Sequence, residues 1–225
     1  MRSGAQLSAR VNPYSRWVYD HPDSLLPEPT PALLKEKRRD PAQGSGRLIV
    51  ELGSGSGNFL LQLARAFPKD HLVGFELRFK RLVKAARKLE KEGHNRVWLL
   101  RELGEKFGDY FAPASIDRIY INFPDPWPKF AHWKKRMINP PLLEAMEKTL
   151  KKDGKLYLKT DHSGYFLHCL SLIRNRPGWK IVGFSNDLHR YGPPVFQAKT
   201  EFEQLFASKG KAIFFLMAEH EGNRN

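Results

Sequence analysis

Seven short apolar runs, separated by segments with helix-like periodicity, constrain the fold of this chain more than any other feature. Each run is long enough for a buried strand, and the segments between them space their apolar residues as amphipathic helices do. Strands that alternate with such helices are typical of βαβ units, so we predict an α/β fold with a mostly parallel sheet and helices on both faces. The predicted strands are residues 47–52, 71–76, 97–101, 116–121, 154–160, 179–185 and 212–219, and the predicted helices are residues 58–67, 78–92, 140–150, 165–174 and 200–208.

The first 46 residues differ from the rest of the chain in composition. They contain six prolines and end in the sequence Gln-Gly-Ser-Gly. Because proline and glycine interrupt regular structure, residues 1–46 are predicted to form a proline-rich arm, with a short helix over residues 31–39. Residues 47–225 are predicted to form one domain.

The chain has a net charge of +14, which is unusual for a protein that acts on small metabolites. A field of this sign favours polyanionic partners, with nucleic acid first and an anionic membrane surface second. The alternative is a basic surface that serves only solubility.

Cysteine usage and hydropathy predict the compartment. The single cysteine, Cys169, excludes a disulfide framework or a cysteine metal cluster within the sequence, and the histidines lack metal-ligand spacing. The first residues have no apolar signal-peptide core, and the longest apolar run is too short to cross a membrane. We therefore expect a cytoplasmic protein with no membrane association and no metal, either a monomer or a homodimer.

A glycine-rich turn closes the first predicted strand. Residues 51–57 read Glu-Leu-Gly-Ser-Gly-Ser-Gly, so Gly53 and Gly55 allow a ligand to approach the backbone closely. Glu51 suits a cationic amino group and would repel a pyrophosphate, whereas Glu76, at the end of the next strand, is placed to bind ribose hydroxyls. A ligand with an ammonium group, a ribose and no phosphate is S-adenosylmethionine. NAD(P) is the alternative cofactor, and Glu51 argues against it.

The adenine side of this predicted site is less defined. Such sites commonly have an acid after the third strand, and here the sequence is Arg-Glu-Leu-Gly at residues 101–104. The contact falls either to Glu102 or to the backbone around Leu103.

A rigid, acidic and aromatic loop follows the fourth predicted strand. Residues 122–129 read Asn-Phe-Pro-Asp-Pro-Trp-Pro-Lys, and the three prolines forbid a regular continuation of the strand. Ligands bind at the carboxyl edge of open α/β sheets, so we predict that Asp125 lies in a functional site. Trp127 either stacks on a base or covers the strand end. The basic residues beyond the loop are candidates for phosphate contacts, namely Lys134, Lys135 and Arg136.

These motifs together resemble one family, the bacterial tRNA (guanine-N7-)-methyltransferases. The resemblance covers about residues 50–219, and it depends on the two segments above, on residues 132–136, on Lys-Thr-Asp at 159–161 and on Thr-Glu-Phe-Glu at 200–203. It implies a Rossmann-like class I methyltransferase fold, with a seven-stranded sheet and an antiparallel last strand. It also implies S-adenosylmethionine as the cofactor and a guanosine in the tRNA variable loop as the substrate.

The resemblance assigns residue roles as well. Asp125 is expected at the reactive centre, and four residues are expected to contact RNA: Lys129, Asp161, Thr200 and Glu203. With the residues inferred above, the predicted cofactor site comprises Glu51, Gly53, Gly55, Glu76, Glu102, Leu103, Asn122 and Asp125.

Two other functions stay open at this point. A methyltransferase acting on an exocyclic amine commonly has Asn-Pro-Pro-Tyr after the fourth strand, and the Asn-Phe-Pro-Asp sequence at residues 122–125 departs from that pattern. A basic RNA-binding module that has lost catalysis would have no need of Glu51, Glu76 and Asp125. Methylation of guanine N7 in tRNA is the function that these residues favour.

Overall fold

The computed structural model describes residues 25–26, 46–193 and 198–222, and it contains one mixed sheet in the order β1-β4-β3-β2-β5-β6-β8-β7. The β2, β3, β4, β5 and β6 strands are parallel, whereas β8 runs antiparallel to both β6 and β7. The strands are β1 Leu25–Leu26, β2 Leu48–Leu52, β3 His71–Phe75, β4 Val97–Leu100, β5 Ile116–Asn122, β6 Leu150–Thr160, β7 Trp179–Ser185 and β8 Phe214–His220.

The seven predicted strands are therefore confirmed, including the antiparallel last strand. An additional two-residue strand, β1, comes from the segment predicted to be an arm, and it pairs in parallel with β4 at the sheet edge. Strand β6 also begins earlier than residue 154, where its prediction started. The predicted helix over residues 31–39 lies outside the described residues.

Helices cover both faces of the sheet, as predicted. The helices are α1 Asn58–Ala66, α2 Phe79–Lys91, α3 Pro140–Thr149, α4 Ser163–Arg174, α5 Leu188–Tyr191 and α6 Glu201–Ser208, and two 3₁₀ helices span Gly104–Tyr110 and Phe130–Lys135. The α1 and α2 helices pack on one face around Ile49 and Leu72, and α3 and α4 pack on the other around Val50 and Ile121. Because side chains alternate along a strand, neighbouring residues of β2 belong to opposite cores.

Local sequence explains several helix boundaries. Proline occupies the first turn of α3, where a missing N–H is tolerated, and the Asn139 side chain accepts a hydrogen bond from Leu142 N–H. Thr200 and Glu203 form a reciprocal capping box at the start of α6. The α5 helix and both 3₁₀ helices were not predicted, because segments this short carry little periodic signal.

The alternation of side chains along each strand also determines which polar residues meet at the carboxyl edge of the sheet. Glu51, Asn122 and Lys159 lie on the same face of the neighbouring strands β2, β5 and β6, and Asn122 pairs with Lys159 in register. These three residues belong to segments more than 30 residues apart in sequence. The fold thus places a carboxyl group, an amide and an ammonium group side by side. Among the described residues, no helix has the length and apolar character needed to span a bilayer.

Candidate active site at the carboxyl edge of the sheet

A cavity of about 460 Å³ opens where strands β2, β3, β4 and β5 end. It brings together nine of the residues predicted from sequence to form a site. Those nine residues are Glu51, Gly53, Gly55, Glu76, Glu102, Leu103, Asn122, Asp125 and Thr200. The remaining predicted residues do not line the cavity; they are Lys129, Lys134, Lys135, Arg136, Asp161 and Glu203.

The glycine-rich turn forms the floor of this cavity. Gly53, Gly55 and Gly57 all have positive φ angles, which a side chain would strain. A Cβ atom added at Gly53 or Gly55 would meet nothing within 4 Å, whereas one at Gly57 would lie 2.6 Å from the Cβ of Ala85 in α2. The first two glycines therefore leave space for a ligand, and the third permits the close packing of the turn against α2.

Glu51 is buried beside the turn, with only 1% of its surface exposed. Its Oε1 accepts a hydrogen bond of 2.9 Å from Asn122 Nδ2, while its buried Oε2 has no hydrogen-bond partner among the described residues. Burial raises the pKa of Glu51 to about 8, although the Asn122 hydrogen bond and the Lys159 ammonium act in the opposite direction. A buried carboxyl oxygen without a partner indicates a position for a donor or cation from a ligand.

Glu76 is also buried, but both of its carboxylate oxygens already accept backbone hydrogen bonds. Oε2 accepts from Gly55 N–H at 3.1 Å and Oε1 from Arg78 N–H at 2.8 Å. Each carboxylate oxygen has a second lone pair, so Glu76 can still accept from hydroxyl groups. The two bonds fix the carboxylate against the glycine turn, which is a suitable arrangement for binding a diol.

The adenine side of the predicted site has an acid and an apolar wall. Glu102 accepts hydrogen bonds from Leu103 N–H at 2.8 Å and from the Tyr110 hydroxyl at 3.2 Å. The side chains of Leu77 and Leu103 line the cavity, although they are 48% and 43% exposed. Exposed leucines in the wall of a cavity suit a flat aromatic ligand. Leu77 was not predicted from the sequence as a site residue. The pattern that could have indicated it is an apolar residue directly after Glu76, the acid at the end of the strand.

The proline-rich loop is held at both ends. Phe123, with a φ of 51°, donates its N–H to the Lys159 carbonyl at 2.8 Å, and the Pro126 carbonyl accepts from Arg136 Nε at 3.0 Å. Asp125, between these two anchors, is exposed at the cavity. The loop therefore presents a carboxylate on a backbone that is tied to β6 and to the segment after the 3₁₀ helix.

The basic residues beyond this loop do not share one environment. Lys129, Lys134 and Lys135 are exposed, whereas Arg136 is only 2% exposed. The Arg136 guanidinium lies over the Trp133 ring at 4.2 Å and donates to Pro126. Arg136 therefore supports the loop through Nε, while its buried Nη1 has no hydrogen-bond partner among the described residues; its phosphate contact stays a prediction. Trp127, which was predicted either to stack on a base or to cover the strand end, does not line the cavity. The Lys135 ammonium lies 4.8 Å from the centre of the Trp127 ring.

Glu203, which was predicted to contact RNA, is fully buried. Its Oε2 accepts from the Lys159 ammonium at 2.9 Å, and His189 Nε2 lies 3.2 Å from its Oε1. Burial lowers the pKa of Lys159, while the Glu203 carboxylate raises it. Glu203 caps α6 through Thr200 and pairs with Lys159, and its contact with RNA stays a prediction. No role was predicted for Lys159 from the sequence, yet its positive charge also acts on the buried Glu51, whose pKa it tends to lower.

Asp161, half-buried, lies outside the cavity wall, and its Oδ2 is 3.1 Å from the Lys211 ammonium. Thr200, Glu201 and Phe202 at the start of α6 form one side of the cavity. Arg78 and Arg81 line it as well. Within the described ranges, no group of three or more potential ligand side chains could hold a metal ion.

The sheet order, the glycine turn and the acidic cavity define a class I methyltransferase with a Rossmann-like fold. Over residues 45–216 the chain matches the family model Methyltransf_4, which is described as "Putative methyltransferase". It is 32% identical over 205 residues to the tRNA (guanine-N(7)-)-methyltransferase of Levilactobacillus brevis, which covers 91% of this chain and 94% of that protein. The chain belongs to the tRNA (guanine-N(7)-)-methyltransferase family.

Two further proteins are similar to this chain, one in sequence and the other in fold. A bifunctional glycosyltransferase/methyltransferase of Fusobacterium nucleatum is 39% identical over 204 residues, which cover 89% of this chain but 31% of that longer protein. A solved structure of an antibiotic-related methyltransferase superposes with a TM-score of 0.63 at 20% identity and covers 86% of this chain and 95% of that one. The latter supports the fold alone.

Proposed function

We propose that this protein transfers a methyl group from S-adenosylmethionine to N7 of a guanine in tRNA. The observation that carries the proposal is the buried Glu51 carboxyl group, whose Oε2 has no partner among the described residues, beside a glycine turn with open space above it. Family membership supports the same reaction, since relatives of near-equal length carry that name.

The residues of the cavity fit the cofactor part by part. Glu51 would accept the ammonium group, and Glu76 would accept the ribose hydroxyls with its remaining lone pairs. Leu77 and Leu103 would contact the adenine faces, with the Glu102 carboxylate close to that end. Gly53 and Gly55 would keep side chains away from the ligand. The buried Glu51 carboxyl group beside the turn suits an ammonium group and would repel a pyrophosphate, so the cavity suits this cofactor better than NAD(P).

The methyl acceptor needs orientation more than a strong base. When bound, S-adenosylmethionine would supply a methyl group on a sulfonium sulfur. The N7 lone pair would displace that sulfur in line, so the sulfur would keep the electrons of the broken carbon–sulfur bond and the positive charge would move to the purine. Asp125, exposed at the cavity, would hold a negative charge beside the base as that charge develops. Asn122 and the prolines around Asp125 would keep its backbone in place, which limits reorganisation during transfer.

Most of the remaining proposed tRNA contacts lie outside the cavity. Lys129, Lys134 and Lys135 are exposed next to the Asp125 loop and would contact phosphates, which position a nucleic acid without reading its sequence. Thr200, at the cavity wall, and Asp161, beside β6, are further candidates for contacts with the substrate.

The decisive experiment is incubation of the protein with S-adenosylmethionine and an unmodified tRNA transcript, followed by nucleoside analysis. The proposal predicts 7-methylguanosine at a single guanosine. A methylated exocyclic amine, or no methylated nucleoside at all, would contradict it. Titration with S-adenosylhomocysteine separates a catalytically inactive RNA-binding module, which would not bind that ligand, from a methyltransferase given the wrong RNA.

A further inference from the structure

Two exposed aromatic rings form a surface pair directly after the Asp125 loop. Phe130 is 80% exposed and Trp133 is 40% exposed, and their ring centres lie 5.0 Å apart with an angle of 59° between the planes. Single exposed apolar residues are ordinary, but adjacent ones on a surface often mark a binding site. This pair is not part of the cavity described above.

The local backbone explains why the two rings meet. Both belong to the 3₁₀ helix Phe130–Lys135, which has three residues per turn, so residues three apart lie on the same side. The same rule places Lys134 on a second side and Lys135 on a third. The short helix therefore presents an aromatic side next to a basic one.

Trp133 is already held in position. The Arg136 guanidinium lies over one face of its ring, 4.2 Å from the ring centre, and its Nε1 donates a hydrogen bond of 3.4 Å to the Pro128 carbonyl. His168 of α4 lies against it as well, with ring centres 5.7 Å apart. A ring fixed in this way loses little conformational entropy when a ligand stacks on the pair.

We infer that Phe130 and Trp133 form a stacking site for an unpaired base of the tRNA, next to the guanine that enters the cavity. This inference rests on the proposed function, because it takes tRNA as the substrate.

Two observations favour a nucleobase over other ligands. First, exposed lysines lie on both sides of the ring pair in sequence, at Lys129 and at Lys134–135, so phosphates that flank a stacked base would find cations. Second, the pair begins five residues after Asp125, at the end of the same rigid loop. Proteins that act on a base take it out of its stack, which leaves neighbouring bases free to stack on aromatic side chains.

The test measures the equilibrium binding of unmodified tRNA in the presence of S-adenosylhomocysteine, at several salt concentrations. Phe130→Ala should raise the Kd about tenfold, or about 1.4 kcal/mol, without changing the salt dependence, because stacking neutralises no phosphate. Phe130→Trp should retain the wild-type affinity. In turnover, Phe130→Ala should raise KM for tRNA and leave kcat unchanged.

The matched control is Phe184→Ala, which removes another exposed ring, 51% accessible, from the edge strand β7. It should bind tRNA as the wild type does. Unchanged binding by Phe130→Ala, or a change in its salt slope, would overturn the inference. The inference would also be overturned if Phe130→Ala lost self-association in sedimentation but kept its affinity for tRNA. The ring pair would then be an interface between copies of this chain.

Failure of this inference is distinguishable from failure of the proposed function. If the wild type forms 7-methylguanosine and Phe130→Ala has the same KM, only the stacking site is wrong. If the wild type methylates no tRNA guanine and binds no tRNA, the proposed function itself is wrong. Thermal melting of each variant checks that the fold is intact.

Discussion

The Asn122 side-chain amide donates a hydrogen bond of 2.9 Å to Glu51, and this bond joins the carboxyl ends of β5 and β2. It satisfies one oxygen of a buried carboxyl group and leaves the other without a partner among the described residues. The pKa of Glu51 rises to about 8 because burial outweighs the hydrogen bond and the Lys159 charge. Free protein therefore holds Glu51 largely protonated at neutral pH, and a bound cation would favour the carboxylate.

Glu51 should make the ligand-free protein less stable as the pH rises. Its pKa is about 8 when folded and near 4.5 when unfolded, so between these values the folded state binds more protons. The free energy of unfolding should fall through that window by up to about 1.4 kcal/mol per pH unit from this group. Urea unfolding from pH 5 to 8.5 measures it, and Glu51→Gln should have a flatter profile than the wild type. Parallel profiles for the two proteins would mean that Glu51 does not titrate in this range.

The same carboxyl group should release its proton when the cofactor product binds. Binding of S-adenosylhomocysteine near pH 7 should release about one proton, since the ligand ammonium favours the Glu51 carboxylate. Calorimetry in buffers of different ionisation enthalpy measures this number. Glu51→Gln should bind S-adenosylhomocysteine more weakly and should release almost no protons on binding. If this variant released as many protons as the wild type, the proton would come from another group.

Asp125→Asn should lower turnover much more than cofactor affinity. The substitution keeps the shape of the side chain and removes the negative charge proposed to stabilise the methylated purine, so kcat should fall about 100-fold or more. The Kd for S-adenosylhomocysteine should stay within about twofold of the wild-type value. Asp109→Asn removes an exposed acid that does not line the cavity, and it should leave both constants unchanged. Wild-type kcat in the Asp125 variant would remove this residue from the reactive centre.

Substitutions of Lys134 and Lys135 should affect tRNA binding, whereas substitution of Arg136 should affect the stability of the fold. Replacing both lysines by alanine should weaken tRNA binding and reduce the slope of log K against log salt by about 0.7 to 0.9 for each phosphate that the protein no longer neutralises. Arg136→Ala should instead destabilise the fold by about 1–3 kcal/mol, because the Pro126 carbonyl loses its donor. Filter binding and chemical denaturation distinguish the two. An unchanged salt slope in the double lysine variant would leave those residues as a solvated surface.

The Lys159–Glu203 pair should contribute to stability rather than to RNA binding. Glu203→Gln leaves a buried ammonium without its counter-charge, and we expect a loss of about 3–5 kcal/mol in the free energy of unfolding. Lys159→Met combined with Glu203→Leu should recover most of that loss, since no unpaired charge is left buried. A double variant as unstable as the single one would indicate that the pair does more than neutralise charge.

The amino-acid sequence by itself determined seven of the eight described strands, five of the six described α-helices and the two loops at the carboxyl edge of the sheet. Apolar periodicity is a local property, and glycines and prolines impose their backbone conformations wherever they occur. The glycine turn, Glu76 and Asp125 could therefore be predicted as parts of one site. The two-residue strand β1 could not, because two leucines between prolines have no periodicity of their own.

Only the tertiary structure decided the environment of each charge. Glu203 and Arg136 look like surface residues in the sequence, yet they are buried because Lys159 of β6 and Trp133 of the 3₁₀ helix fold against them. The raised pKa of Glu51 likewise depends on desolvation by segments distant in the chain. Residue type sets what a side chain can do, but burial and neighbouring charges are properties of the assembled fold.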